Sequence, residues 1–314
     1  MLTIKQKSNF LFECLPSFQE GYLDVKNGHK IYYEQYGNPD GKPVLFLHGG
    51  PGAGFSNFHK AFFDPEIFRV IFFDQRGSGK SIPYAETDNN NTENLIADIE
   101  SLRKLLKIDK WYLFGGSWGS TLALLYGIKF PQRCLGFILR GIFLGTIDEI
   151  NWFLYDIRKF FPEAYNKFIS HVPITHRNNV LEWFYQQLRT NNRSLSLKVA
   201  SIWAEYENSC SSLEYVERPV SGENALAIAK IETHYFINNC FIKDNFIVSN
   251  IHKIAKIPAV IVQGRHDVIC PPFNALHLSE IWDASTIQIV EDAGHSAFEV
   301  SIGRKLINAL HMIK

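Results

Sequence analysis

The chain has 314 residues, 46% of them hydrophobic and 20% charged, which supplies a large core and excludes a disordered chain. Lys plus Arg and Asp plus Glu each number 32, and this zero balance leaves no basic footprint for a nucleic acid or an anionic membrane surface. The five cysteines, odd in number and irregularly spaced, read as reduced thiols rather than a disulfide frame.

The N-terminal stretch MLTIKQKSNFLFECLPSF has early lysines and no apolar run of signal-peptide length, and no stretch reaches the ~18–20 apolar residues of a membrane span. The expectation is a soluble, cytoplasmic protein. HKIYYEQYGN (29–38) reads as an early strand and GNPDGKP (37–43) as a turn. PVLFLHGG (43–50) and FRVIFFDQRG (68–77) are short apolar runs that suit buried strands. TENLIADIESLRKLLKI (92–108) spaces Leu95, Ile96, Ile99, Leu102, Leu105 and Leu106 as one helical face, with Thr92 as the N-cap. KWYLFGGS is the next buried strand, STLALLYGIKF a helix stopped by Pro131, and RCLGFILRG (133–141) another strand. Strands alternating with helices predict an α/β fold with a mostly parallel sheet covered on both faces.

The alternation stops after Gly141. From about 145 to 250 the chain is aromatic, charged and helical in period. It resumes at IPAVIVQGRHD (257–267) and STIQIVEDAGHS (285–296), and AFEVSIGRKLINALHMI closes the chain as a helix. The predicted organisation is a split core, 1–144 and 251–314, with a helical cap over 145–250. Chemistry in such sheets sits at the carboxyl ends of the strands.

GGSWG fits the G-x-S-x-G nucleophile elbow at Gly115, Ser117 and Gly119. A sharp strand-to-helix turn exposes the serine Oγ, side chains two residues to either side would collide, and the helix N-terminus aims N–H groups at charge building on a substrate oxygen. The serine needs a base, and His295 lies just past the last predicted strand; His48, at the end of LFLHGG, suits a loop-shaping role. The base needs a carboxylate. Asp267 follows the preceding strand, and the order Ser117, Asp267, His295 is that of the α/β-hydrolases. Asp74 and Asp292 compete, the first preceding the nucleophile, the second close to His295 in sequence. HGGPG (48–52) supplies the other side of an oxyanion hole, with the N–H of Gly50 converging on that of Trp118. DQRGSGKS ends like a phosphate-binding P-loop, but Asp74 stands where that motif needs glycine. With no dinucleotide fingerprint and no His/Cys cluster at metal spacing, no cofactor and no metal are expected.

HGGPG, DQRGSGKS, GGSWGSTLAL, LRGIFLG, GRHDVICP and AGHSAFE occur in the order and spacing of proline iminopeptidases, which the chain resembles over nearly its whole length. The resemblance implies an α/β-hydrolase with a helical cap that releases N-terminal proline from small peptides, with Ser117, Asp267 and His295 as the triad. It also implies that SIWAEYENSCSSL and LAIAKIETHYF each supply a glutamate for the substrate's free amino group, Glu207 and Glu232. Tyr206 replaces a family tryptophan, and Glu205 is a rival two residues from Glu207. The pairing is sound chemistry, because an ammonium entering an aromatic, partly dry pocket must be paired there. An esterase or small-amide hydrolase with a drifted cap is the alternative, separable by comparing a Pro-anilide with an acyl ester; a catalytically silent binding module is a third, separable by fluorophosphonate labelling. The sequence leaves the oligomeric state open, a homo-oligomer included, along with the preferred second residue.

Overall fold

A computed structural model describes residues 11–312; the first ten residues of the N-terminal stretch and Ile313 of the closing helix lie outside these. Eight strands form one sheet in the order β1-β2-β4-β3-β5-β6-β7-β8. They are β1 Gln19–Asp24, β2 Lys30–Gly37, β3 Lys42–Leu47, β4 Phe68–Phe73, β5 Trp111–Ser117, β6 Cys134–Ile142, β7 Ala259–Gly264 and β8 Ser285–Val290. β1 and β2 pair antiparallel, as do β2 and β4, while every pair from β4 to β8 is parallel. The expected strands are present; β1, half exposed and without an apolar run, was not foreseen.

The helices are α1 Asn57–Lys60, α2 Thr92–Leu105, α3 Trp118–Lys129, α4 Ile147–Asn151, α5 Pro162–Ser170, α6 Val180–Leu188, α7 Arg193–Cys210, α8 Gly222–Ile237, α9 Phe246–Asn250, α10 Pro272–Glu280 and α11 Val300–Met312. All of α4–α9 fall between β6 and β7, in the segment whose alternation fails. Strand alternation sorts two cores. Leu45, Leu47, Ile71, Phe73 and Leu113 face α2, α3 and the α4–α9 segment. Val44, Phe46, Val70, Phe72 and Phe114 face Phe62 and Phe63 beside α1 and the Leu306 and Leu310 face of α11.

Two details of the predicted helix at 92–108 are corrected. Its N-cap is Asn91, whose side chain accepts from the Asn94 N–H at 2.9 Å, because the Thr92 hydroxyl donates instead to the Cys240 carbonyl. Leu105, counted on the buried face, is 47% exposed, while Leu95, Ile96, Ile99, Leu102 and Leu106 are buried. All five cysteines are free thiols, and no helix among the described residues is long and apolar enough to cross a membrane.

Candidate active site

β5 runs into α3 with no loop between, and Ser117 takes the whole turn at φ 56°, ψ −130°. A positive φ strains any residue with a Cβ, and such strain persists only where the surroundings enforce it. Here they do. A Cβ on Gly119 would collide with the Leu47 carbonyl of β3, and one on Gly115 with the Gly119 carbonyl. The two glycines let α3 start directly against the sheet, which pins Ser117 in the cleft.

Asp267 and His295 reach the same place from the ends of β7 and β8. The His295 Nδ1–H donates to Asp267 Oδ2 at 2.8 Å. Asp267 is 2% exposed; its Oδ1 accepts from the Cys270 N–H at 2.8 Å and its Oδ2 from Gln263 Nε2 at 3.2 Å. With the proton on Nδ1, Nε2 is the free lone pair, the tautomer a general base needs. The rivals are engaged elsewhere. Asp74 accepts the N–H groups of Phe55 and Lys80, knitting two loops together. Asp292 accepts the Ser301 hydroxyl at 2.7 Å on the surface.

Ser117 and His295 line one cleft, and a residue that sequence reasoning missed lines it with them. Arg140, from the end of β6, donates from Nη1 to His295 Nε2 at 3.0 Å and to the His295 carbonyl at 2.8 Å. The available signal was a cation closing the otherwise apolar run CLGFILRG.

Gly50, at φ 103°, borders the cleft beside Ser117, and Trp118 is the first residue of α3, where helix N–H groups lack intrahelical acceptors. Both candidate oxyanion donors are therefore near the nucleophile. Gln75 ties their supports together. Its Nε2 donates to the His48 carbonyl at 2.9 Å, its Oε1 accepts from the Trp118 indole at 2.9 Å, and its backbone N–H donates to His48 Nε2 at 3.0 Å. His48 is buried, and desolvation lowers its pKa to about 4, so it stays neutral and shapes the loop, as expected. The P-loop-like stretch is thus a structural brace.

α8 lies on these loops. A Cβ on Gly52 would meet the Ala227 carbonyl at 2.9 Å, and one on Gly77 would meet Ile231 at 2.9 Å. The next residue, Glu232, is 3% exposed and accepts the Trp203 indole N–H of α7 at 2.5 Å. Glu207, also on α7, joins Glu232, Phe143, Phe153, Phe236, Ile269 and Cys270 around a small inner cavity that Ser117 also borders. Burial raises the pKa of Glu207 to about 7, and burial plus the Glu207 charge raises that of Glu232 well above the usual carboxylate range. Glu205 points away from this cavity and pairs with Lys167 at 3.5 Å, as two residues on a helix lie ~200° apart. Tyr206, in place of the expected tryptophan, stacks on Phe168 and donates its hydroxyl to the Phe153 carbonyl, inside the α4–α9 packing. A third carboxylate, Glu149, lines the inner cavity unforeseen. It caps α4 and is occupied by Thr146, the Leu144 N–H and Asn274. Among the described residues no group of three or more His, Cys, Asp or Glu could hold a metal ion.

The arrangement holds a strained serine, a carboxylate-oriented imidazole and a pocket lined by carboxyl groups and aromatic rings at one point. Comparison with known proteins agrees with that chemistry. The family model for the alpha/beta hydrolase fold matches residues 42–301. A probable proline iminopeptidase of Leptolyngbya boryana is 45% identical over 305 residues, covering 95% of each chain. The proline iminopeptidase of Neisseria gonorrhoeae is 41% identical over 306 residues, 96% of this chain and 98% of its own. Among solved structures, a bromoperoxidase from Bacillus anthracis superposes with a TM-score of 0.66 at 20% identity, over 94% of this chain and 99% of its own. At that identity only the fold is shared, whereas the two iminopeptidases match along nearly the full length. The chain belongs to the proline iminopeptidase family of the alpha/beta hydrolase fold.

Proposed function

We propose that the protein is a cytoplasmic serine aminopeptidase that releases N-terminal proline from small peptides, with residues 1–144 and 251–314 as the hydrolase core and 145–250 as its cap. The observation that carries this reading is the inner cavity: Ser117 borders it, and its walls combine the carboxyl groups of Glu149, Glu207 and Glu232 with aromatic and aliphatic side chains. Such a pocket suits one small apolar residue bearing a cationic amine and rejects a blocked or internal one. The free state of all five thiols supports a reducing compartment.

In this reading proline enters the inner cavity with its secondary ammonium between Glu207 and Glu232. Ser117 Oγ attacks the proline carbonyl carbon as His295 Nε2 takes its proton. Asp267 holds the tautomer and stabilises the imidazolium. The N–H groups of Gly50 and Trp118 receive the oxyanion. The imidazolium protonates the leaving nitrogen, the peptide bond breaks, and water activated by the same imidazole frees proline from Ser117.

The test is a panel of aminoacyl-anilides, each with a free and an acetylated amine. Proline anilide is expected to be hydrolysed fastest and N-acetylproline anilide hardly at all. Equal turnover of the two would replace this reading with a plain esterase or amidase.

A further inference from the structure

The inner cavity accounts for the first residue only. Gly50, Ser117 and Glu207 also border a second, wider space, which His295 lines as well. In an aminopeptidase the leaving peptide has to occupy that space. Its far wall is aromatic, made by Phe46, Phe62, Phe114 and Phe298, with Arg140 near His295. Phe298 closes the wall at ring distances of 5.4 Å from both Phe62 and His59. His59 is itself held neutral by burial, its pKa lowered to about 4, so the cation of this space is Arg140.

Arg140 lacks the partner that a half-buried guanidinium normally has. It forms no ion pair with a carboxylate among the described residues, and its Nε is buried with no hydrogen-bond partner. The guanidinium lies over Gly116, where a Cβ would stand 2.5 Å from Nη2. Its Nη1 spends a charged donor on His295 Nε2, the nitrogen that in this reading accepts the Ser117 proton. An arginine cannot go on donating to that nitrogen once it carries a proton, so the contact has to yield during turnover.

We infer that the wider space is the site of the second substrate residue and is built for dipeptides: an apolar or aromatic side chain on the phenylalanine wall, and the free C-terminal carboxylate on Arg140. The inference rests on the aminopeptidase reading and names its substrate class. Geometry favours the carboxylate. The leaving nitrogen has to come within hydrogen-bond reach of His295 Nε2 to be protonated, and Arg140 Nη1 is 3.0 Å from that atom. In a dipeptide the carboxylate carbon is two bonds from the leaving nitrogen, roughly 2.5 Å away, so its oxygens fall within reach of the guanidinium. In a longer peptide that carbon belongs to a neutral amide. A carboxylate engaging Nη1 and the unpaired Nε would satisfy the buried donor and draw the guanidinium off Nε2, leaving the base free for Ser117 when substrate is in place.

The experiment measures kcat/KM for Pro-Phe, Pro-Phe amide, Pro-Gly and proline p-nitroanilide with wild type, Arg140→Gln and Arg140→Lys. Wild type is expected to favour Pro-Phe over its amide by about 10- to 100-fold, the effect of one charge-assisted contact, and Pro-Phe over Pro-Gly by roughly tenfold or more. Arg140→Gln is expected to bring the acid-to-amide ratio within about threefold of unity, and Arg140→Lys to keep part of it. Equal wild-type rates for Pro-Phe and its amide overturn the inference without any variant, while hydrolysis of both leaves the aminopeptidase standing. A wild-type preference that survives in Arg140→Gln, or equal losses on acid and amide, also overturns it and assigns Arg140 to holding His295 alone. Hydrolysis of none of the four defeats the underlying reading instead.

Discussion

The loops that carry Ser117, Asp267 and His295 and the helices that carry Glu207 and Glu232 meet around two adjoining cavities that share Ser117, but different forces hold them there. The first set sits at the ends of strands whose register is fixed by pairing: Gly115 lies opposite Leu139, and Val262 opposite both Arg140 and Gln288. Short connections then leave each side chain little freedom. The second set is held by rings. Phe153, Phe168, Phe184 and Trp203 pack edge-on, tilted or stacked at 4.8–6.0 Å, and Glu232 is oriented by the Trp203 indole. The core thus fixes the candidate catalytic groups through backbone geometry, and the α4–α9 segment fixes the candidate recognition groups through side-chain packing. Damage to the first should abolish chemistry for every substrate; damage to the second should alter only which substrate is accepted.

The sharpest test of the first half is Ser117→Ala. Alanine keeps a Cβ at the same positive φ, so the backbone strain is unchanged and the melting temperature should stay within a few degrees. Activity should fall by several orders of magnitude on amine, amide and ester alike, because triad members act as a unit. Retention of more than about a tenth of kcat/KM, a loss under ~1.4 kcal/mol, would remove Ser117 from the role of nucleophile.

Glu207→Gln and Glu232→Gln probe the other half. Breaking a buried charge pair costs ~3–5 kcal/mol, and solvent reaching half-buried Glu207 reduces it there, so free-amine substrates should lose about 10²–10³-fold in kcat/KM. An uncharged acyl ester should lose far less, and equal losses on both would place amine recognition elsewhere. The raised carboxylate pKa values add a pH signature. As pH falls through about 7, Glu207 takes up a proton and amine binding weakens, so kcat/KM should drop more steeply on the acid side for the amine than for the ester. Stability moves the opposite way. Between the ordinary carboxylate value and about 7, the folded protein keeps a proton on Glu207 that the unfolded chain has released, so stability falls as pH rises through that window. Thermal unfolding of Glu207→Gln should show a shallower fall there.

A smaller effect is expected from Gln75→Leu. It removes the links from Gln75 to the His48 carbonyl and the Trp118 indole and leaves one buried acceptor and one buried donor unpaired, at ~1–3 kcal/mol of stability each. The two candidate oxyanion donors then lose their common brace, so kcat should fall by roughly 10-fold, about 1.4 kcal/mol, with KM nearly unchanged. A rise in KM at constant kcat would mean that Gln75 serves binding instead.

The same contrast explains what could be read from the chain. The elbow, the strands and the meeting of Ser117, Asp267 and His295 were legible because each depends on local chemistry: glycines at a collision point, apolar runs, a carboxylate and a histidine just after strands. β1 was not, because an exposed edge strand has no apolar run to mark it. The N-cap of α2 went to Asn91 because a tertiary acceptor, the Cys240 carbonyl, claimed the Thr92 hydroxyl. Glu207 and Glu232 came from family resemblance alone, since nothing in their helices distinguishes an inward glutamate from a solvated one until the partner helix is in place. Arg140 and Glu149 were missed for the same reason: their significance lies in what faces them across the fold.

Cys270 joins the two halves, and its substitution should change activity least. It is 2% exposed, its backbone N–H holds Asp267, and its thiol meets the Ser117 hydroxyl, both lining the inner cavity. Burial and the nearby carboxylates push the thiol pKa well above its ordinary value, so at neutral pH it is a thiol and not a competing nucleophile. The backbone bond to Asp267 survives any side-chain change. Cys270→Ser should therefore retain kcat/KM within about threefold for proline anilide, under ~1 kcal/mol. A mercurial is another matter. Attached to Cys270 it would fill the pocket that receives proline and press on both Asp267 and Ser117, so the wild-type enzyme should be inhibited and Cys270→Ser largely spared. The measurement is residual activity of both enzymes against increasing p-mercuribenzoate, with the anilide and with an uncharged ester. Equal sensitivity of the two enzymes would move the reactive thiol to Cys14, the one exposed cysteine, or to Cys210 near Glu207. Selective protection of the mutant on both substrates would show that the wall of the recognition pocket and the support of the catalytic acid are one residue.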